Sequence, residues 1–167
     1  MSTLRATPPS AAGAAARIDP RGPQLAAGLT SIVLAAVLLL APRPVGVALL
    51  AAQVVVFAIG AGWGVQRTPY AWLFKTLVRP RLGAPSELED AAPPRFAQGV
   101  GLAFGLVALV GFLAGADLLG LVATGLALTA ALLNAVFRFC LGCELYLLLA
   151  RWSSTPSRWS SLSRPRT

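Results

Sequence analysis

The sequence predicts an all-α membrane protein with four transmembrane helices in two hairpins and a cytoplasmic interfacial amphipathic helix between spans 2 and 3. Three observations lead to this fold class. The chain of 167 residues is 56% hydrophobic and only 12% charged, whereas soluble proteins are about 45–50% apolar and about 25% charged. Its mean hydropathy is +0.72. Four apolar stretches are also long enough to cross a bilayer.

The first hairpin is predicted from two apolar stretches, residues 24–41 and 45–63. Pro23 comes directly before the first stretch and suits the first turn of a helix. Residues 42–44, Pro-Arg-Pro, leave room only for a tight turn. Gln53 lies near the middle of the second stretch, where we expect it to form a hydrogen bond with a neighbouring helix.

The segment between the hairpins contains the predicted interfacial helix, at residues 69–82. Lys75, Arg79 and Arg81 fall on one side of this stretch. Apolar residues recur on the other side at helical spacing: Tyr70, Leu73, Phe74, Leu77 and Val78. This pattern is typical of a helix that lies in the headgroup layer. The acidic stretch 86–90 is interpreted as a solvated loop, with a docking site as the alternative.

The second hairpin is predicted from residues 96–115 and 118–137, with Asp117 at the turn between them. Two Gly-x-x-x-Gly pairs begin at Gly101 and Gly111. Small residues at this spacing let helix backbones approach each other closely in a membrane. Packing within the bundle is the favoured interpretation of these pairs, and a dimer face is the alternative.

Residues 139–150 form an apolar stretch of 12 residues, which is too short for a fifth span. They either prolong span 4 or form a separate interfacial helix. The transmembrane domain is predicted over residues 23–150. It follows a disordered lead at 1–22, rich in Ala and Pro, and precedes a disordered tail at 151–167, rich in Ser and Arg.

The positive charges orient the predicted spans. The chain has 14 Lys and Arg residues against 6 Asp and Glu. With four spans, all 14 except Arg43 fall on one side of the membrane. The positive-inside rule therefore places both termini and the middle segment in the cytoplasm. This rule explains the positive balance better than nucleic-acid binding does, because the charges flank apolar stretches.

Composition excludes several kinds of active site. The chain has no histidine and two cysteines, which excludes an imidazole base, a Ser-His-Asp triad and a Cys₄ metal site within one chain. The glycine-rich motifs of phosphate and dinucleotide binding are missing from the sequence. No cofactor or metal site is predicted, and the sequence leaves open whether the protein is an enzyme.

The candidate site residues are Cys140 and Cys143, in the order Cys-Leu-Gly-Cys. Thiols at this spacing can cycle between a dithiol and a disulfide. The positive charge of Arg138 favours a thiolate nearby, whereas Glu144 opposes it. The predicted topology puts the pair at the cytoplasmic edge of span 4, where a reducing environment disfavours a structural disulfide.

The alternative interpretation is that both cysteines are packing residues. An uninterrupted helix would place them on one apolar stripe with Val136, Leu147 and Ala150. Side chains three residues apart on a helix are about 5–6 Å apart, wider than the Cβ separation of about 3.8 Å in a disulfide, unless Gly142 relaxes the backbone. Asn134 and Arg138 are expected to point away from the cysteines.

Several stretches of the chain together resemble a known family. They are residues 18–24, 79–83, 87–90 with 94–98, and 134–146. The most specific part is Phe-Cys-x-Gly-Cys-x-x-Tyr within the last stretch. Over about residues 18–150, the chain resembles the small bacterial membrane proteins, common in actinobacteria, that are grouped as domain of unknown function 4395.

The resemblance implies a multi-pass protein of the bacterial cytoplasmic (inner) membrane. Genes of this family often lie beside genes for thioredoxin-like and sulfurtransferase proteins, which implies a soluble partner of that kind. The family has no established activity, so the resemblance assigns no catalytic role to any residue.

Three hypotheses follow for function. The first is thiol–disulfide exchange or sulfur relay between the Cys140–Cys143 pair and a soluble thioredoxin-like or sulfurtransferase partner, docked on residues 69–82 and 86–90. The second is a structural or scaffolding membrane protein with inert cysteines. The third is a small transporter, which is disfavoured because Gln53 and Thr124 are the only polar residues near the span centres. Oligomeric state is not predicted.

Overall fold

Four long helices run back and forth between the two ends of the fold. The computed structural model describes residues 17–83, 85 and 87–153. In chain order the elements are β1 (Arg17–Ile18), α1 (Arg21–Leu40), α2 (Pro44–Trp63), α3 (Pro69–Leu73), β2 (Glu89–Asp90), α4 (Ala92–Leu113), α5 (Asp117–Phe137) and α6 (Leu141–Ser153). Helices α1, α2, α4 and α5 are each long and apolar enough to cross a membrane. The predicted fold class, an all-α membrane protein with four spans, is confirmed.

The predicted disordered lead and tail lie largely outside the described residues, at positions 1–16 and 154–167. The remaining residues of those two segments belong to secondary-structure elements or connect them. Residues 17–22 contain β1 and the first turn of α1, and residues 151–153 form the end of α6.

The four long helices pack in a ring around a small apolar core. Helix α1 contacts α2 and α5, and helix α4 contacts the same two helices. The core consists of Leu34, Val37, Leu50, Val54, Ala108, Phe112, Ala123 and Ala127. Large apolar side chains such as Leu39 and Leu113 point outward, with 82% and 72% of their surface exposed. Such an apolar exterior is what contact with lipid requires.

Gly101 and Gly105 of the first predicted pair and Gly111 of the second contribute to packing inside this ring, whereas a Cβ atom on Gly115 would meet nothing within 4 Å. A Cβ atom on Gly101 would lie 2.8 Å from the Phe57 ring, and one on Gly105 would lie 2.9 Å from the Val54 side chain. A Cβ atom on Gly111 would lie 2.9 Å from the backbone nitrogen of Gly120. These glycines therefore allow α4 to approach α2 on one side and α5 on the other, as the favoured interpretation predicted.

Gln53 forms the expected hydrogen bond between helices, and a second bond to the segment that follows α2. Its side chain is 1% exposed. Its Nε2 atom donates to Thr30 Oγ1 of α1 at 3.3 Å, and the Tyr70 hydroxyl donates to its Oε1 atom at 2.7 Å. Burial raises the pKa of Tyr70 above the ordinary value of 10.0, so its hydroxyl remains a donor at neutral pH.

We call the end at which α1 and α4 begin and α2 and α5 end the basic end. Strands β1 and β2 pair there in antiparallel register. Gln24 Nε2 donates to the Ala135 carbonyl at 3.1 Å, which ties the start of α1 to the end of α5. Arg95 donates to the carbonyls of Ala61 and Gly62, both at 2.7 Å, and so satisfies the last turn of α2.

The positive charges of the described residues gather at the basic end. They belong to Lys75, Arg17, Arg21, Arg67, Arg79, Arg81, Arg95 and Arg138. Arg43 lies at the opposite end, in the turn between α1 and α2. The charge asymmetry that oriented the predicted spans is therefore also an asymmetry between the two ends of the folded bundle.

Asp19 anchors the start of α1 at the basic end. Its carboxylate accepts hydrogen bonds from the Arg21 backbone nitrogen and the Arg21 side chain, with Oδ1 at 3.0 Å from each donor nitrogen. Burial by itself raises the pKa of Asp19, but these hydrogen bonds and the charges of Arg21 and Arg79 outweigh it and leave the pKa below 3.8. The carboxylate therefore stays charged in the folded state.

The segment predicted as an interfacial helix contains a series of helical turns. Helix α3 continues as a π turn over Phe74–Val78 and a 3-10 turn over Arg79–Arg81. The Phe74 ring is 5% exposed, and the Lys75, Arg79 and Arg81 side chains are exposed. The placement of this segment in the cytoplasmic headgroup layer stays a prediction.

Candidate functional site

The helical path is broken between the fourth span and the cysteine pair. Helix α5 ends at Phe137, and Arg138 adopts a left-handed conformation with φ 56°. The Phe139 nitrogen donates back to the Leu133 carbonyl at 3.3 Å, which closes the end of α5. Residues 141–153 then form the separate helix α6, which settles the alternative that the sequence left open.

Cys140 stands at the beginning of α6 and Cys143 in its first turn. The Cys140 carbonyl accepts from the Glu144 nitrogen at 3.0 Å, and Cys140 Sγ accepts from the Cys143 nitrogen at 3.3 Å. The two sulfurs are joined in a disulfide, with the Cα atoms 5.1 Å apart. An uninterrupted helix would not bring them together, so the break at Arg138 is what permits the bond.

Two contacts dock the start of α6 on the start of α4. A Cβ atom on Gly142 would lie 2.7 Å from both Cα and Cβ of Ala97, so only glycine fits between the two cysteines at this distance. One turn later, the rings of Tyr146 and Phe96 lie 5.8 Å apart between centroids. The apolar stripe expected from an uninterrupted helix does not form, because α6 is a separate helix with its own packing partner.

A groove of ≈ 550 Å³ opens directly beneath the disulfide. We call it the cysteine groove. Its mouth is lined by both cysteines together with Asn134 and Arg138. The expectation that Asn134 and Arg138 point away from the cysteines is therefore wrong: the reversal of the chain at Arg138 folds the cysteines back over the last turn of α5.

Charges of both signs surround the mouth of the cysteine groove. Arg138 and Glu144, which the sequence pointed to, are joined by Arg21 from α1 and Glu89 from β2. Arg21 and Glu89 are more than 45 positions from the cysteines in the chain, so spacing alone gave no signal for them. The pairing of β1 with β2 brings them to the same end as α6.

The two predicted docking segments share one cavity, of ≈ 360 Å³. Tyr70, Phe74 and Lys75 from the helical turns after α2 line it, and Leu88 of the acidic stretch lines it too. Glu89 of the acidic stretch borders the cysteine groove, which no residue of 69–82 lines. The acidic stretch therefore reaches the cysteine groove, whereas the predicted interfacial helix does not.

No cluster of three or more His, Cys, Asp or Glu residues that could hold a metal ion occurs among residues 17–83, 85 and 87–153. The reactive groups that the site does present are the two sulfurs. Both cysteines are partly exposed. The arrangement can form, open and re-form one disulfide without moving the four spans, because the pair lies beyond the end of α5.

The fold and the site define a small multi-pass membrane protein with a bonded cysteine pair at one end of its bundle. The chain belongs to the family described as Domain of unknown function (DUF4395), whose profile matches residues 18–151. No curated protein and no solved structure matches the chain. The family named by resemblance is confirmed, and its match includes the four spans and both cysteines.

Proposed function

We propose that the protein exchanges disulfides with a soluble thioredoxin-like protein through Cys140 and Cys143, at the cytoplasmic face of the membrane. The observation that supports this most is the bonded pair at the beginning of α6. A dithiol that can close into a disulfide within one turn, at a partly exposed position, meets the geometric need of thiol–disulfide exchange.

The exchange proceeds in two displacements. A thiolate of the reduced partner attacks Cys140 Sγ, forms an intermolecular disulfide and expels Cys143 as a thiolate. The second partner thiolate then attacks the partner's own bonded sulfur and releases Cys140. The partner leaves with a disulfide, and both cysteines of this chain take up protons from water.

The first turn of α6 favours Cys140 as the sulfur that is attacked and later released. Its Sγ atom accepts the Cys143 N–H at 3.3 Å, and the start of a helix stabilises negative charge on a nearby sulfur. Sulfur relay through a persulfide would use the same sulfur. The bonded pair favours exchange, because a persulfide carrier has no need of a second cysteine at bonding distance.

Membrane sidedness follows from the distribution of positive charge. Among residues 17–138, every Lys and Arg except Arg43 lies at the basic end, which is also the end that carries the cysteines. Under the positive-inside rule the basic end faces the cytoplasm. A membrane-impermeant maleimide should therefore label the reduced cysteines in inside-out vesicles and leave them unlabelled in right-side-out vesicles. The opposite labelling pattern would place the site on the other face.

The exchange itself is tested with purified oxidised protein and reduced bacterial thioredoxin, followed by a maleimide gel shift of both proteins. Wild type should oxidise thioredoxin, and Cys140→Ser should abolish the reaction. Cys143→Ser keeps Cys140, and this thiol should displace the small thiol from a thioredoxin whose first cysteine is activated as a disulfide with that small thiol and whose second cysteine is replaced by Ser, which leaves a stable mixed disulfide.

The scaffolding hypothesis predicts a different result in the same assay. The disulfide would persist in excess reduced thioredoxin, and the double Cys→Ser variant would be indistinguishable from wild type. Circular dichroism and size-exclusion profiles of each variant serve as the control for folding.

A further inference from the structure

The cysteine groove extends from the disulfide to the side of the bundle. Phe104 of α4 and Leu126 of α5 line its far part, and these residues are 37% and 54% exposed. Leu126 precedes the end of α5 by eleven residues, or about 16 Å of helix. The groove therefore opens laterally within the part of α5 that crosses the membrane, where a molecule dissolved in the bilayer can enter.

The groove exists because small residues face each other where α4 and α5 diverge. The two helices are in close contact near their turn, where a Cβ atom on Gly111 would meet the Gly120 backbone. Toward the basic end the walls are built from Ala97, Gly101, Ala127, Ala130 and Ala131. These side chains are too short to close the gap, and they make the deep walls apolar. Such walls suit an apolar tail and offer nothing to a water-soluble ligand.

Polar groups are concentrated at the end of the groove that adjoins the cysteines. Asn134, Gln98 and Arg138 line this part. The side chains of Asn134 and Arg138 carry N–H donors. A ligand with carbonyl oxygens at its polar end supplies the matching acceptors.

Repeated thiol exchange also requires a second redox partner. Each soluble dithiol oxidised by this chain leaves Cys140 and Cys143 reduced, and a two-electron acceptor must then restore the disulfide. The acceptor that fits the groove has a polar redox-active head, a long apolar tail and solubility in the bilayer. We propose that the cysteine groove binds an isoprenoid quinone, which reoxidises the pair; this inference rests on the proposed thiol exchange.

The reaction balances within the site. The dithiol forms one S–S bond and gives up two electrons and two protons. The quinone takes up both electrons and both protons at its two carbonyl oxygens and leaves as the hydroquinone. Before reduction, its carbonyl oxygens are acceptors that the N–H groups of Asn134 and Arg138 can meet. Electrons thus pass from a soluble dithiol, through the cysteines, to a carrier in the membrane.

The test uses the reduced full-length protein in lipid nanodiscs with decylubiquinone, a quinone that carries an apolar tail. Quinone absorbance and the loss of free thiols are followed together. Wild type should be oxidised at least tenfold faster than Ala131→Trp, whose indole fills the groove. Leu132→Trp is the matched control, because Leu132 is 44% exposed on the same helix and does not line the groove; it should react like wild type.

A second variant covers the case in which Ala131→Trp fails to fold. Asn134→Leu removes an amide donor from the polar end of the groove at similar volume, and it should raise the quinone concentration needed for half-maximal rate about tenfold. Duroquinone, which has no tail, should discriminate less between wild type and Ala131→Trp. Equal decylubiquinone rates for wild type, Ala131→Trp and Asn134→Leu would overturn the inference.

Exchange with reduced thioredoxin is measured on the same samples, so that the two proposals can fail separately. If wild type oxidises thioredoxin but its reduced form is inert to decylubiquinone, the quinone inference is wrong and the exchange function stands. If decylubiquinone oxidises the pair but thioredoxin does not react with it, the soluble partner is wrong, and the groove retains its assigned ligand.

Discussion

The two ends of the bundle use the same small residues with opposite results. At the turn end, Gly111 and Gly120 bring α4 and α5 into backbone contact and leave no space between them. At the basic end, Ala130 and Ala131 face a gap, because the helices have diverged and short side chains cannot fill it. A small residue therefore closes an interface where backbones converge and opens a cavity where they separate.

The first prediction addresses the turn end. Gly111→Val should lower the free energy of unfolding by about 3 kcal/mol, because its side chain would collide with the backbone of α5. The measurement is thermal unfolding in detergent. Gly125→Val is the control, since a Cβ atom there meets nothing within 4 Å. A loss in Gly125→Val as large as in Gly111→Val would remove the distinction between converging and open positions.

The second prediction addresses the basic end. Gly142→Val should force α6 away from Ala97 at a local cost of about 2 kcal/mol, while the four spans stay folded. The reduced cysteines should then react with maleimide several-fold faster, with little change in the unfolding temperature. If the spans unfold along with α6, the two ends are coupled more tightly than their contacts indicate.

A third prediction concerns the hydrogen bonds that connect the span region to the basic end. Tyr70→Phe leaves the buried Gln53 oxygen without its donor and should cost about 1 kcal/mol. Tyr146→Phe keeps the ring that contacts Phe96 and should cost much less. Unfolding curves of the two variants, compared side by side, test whether the Tyr70 hydroxyl contributes more to stability than the Tyr146 hydroxyl does.

The smallest expected effect is the pH response of Asp19. Because folding lowers its pKa, the carboxylate stabilises the folded state above pH 3.8, and this contribution is lost as the pH falls through the lower folded value. Asp19→Asn should therefore lose less stability than wild type below about pH 4, by under about 1 kcal/mol. Glu87→Gln, at an exposed position, should follow the wild-type curve across the same range.

Much of the fold was predictable because lipid imposes a simple requirement on length and composition. The apolar stretches predicted four spans, and the tight turns predicted two hairpins. A polar side chain in the middle of a span can form hydrogen bonds with few groups other than those of a neighbouring helix, and Gln53 donates to Thr30 of α1. The positive charges also predicted correctly that residues near the cysteines would share one end with the segment between the hairpins.

The spacing of apolar residues did not predict the geometry of the cysteine site. Apolar residues continue on both sides of Arg138, so the pattern left open whether span 4 continues or a separate helix begins. At the break, Arg138 adopts a left-handed backbone conformation. An arginine rarely adopts this conformation, so the residue type did not predict it. Gly142 was the one available signal, but its role is contact with Ala97 and not flexibility. The cysteine groove depends on the distance between packed helices. Residue spacing in a single sequence does not predict that distance.

In the proposed exchange, the sulfur of Cys140 is both the reacting atom and an end cap, since it accepts from the Cys143 amide. A bond from this sulfur to another protein would therefore change the acceptor at the start of α6. Leu141 and Leu145 are exposed in the same part of the helix, so an apolar surface lies next to the atom whose bonding would change.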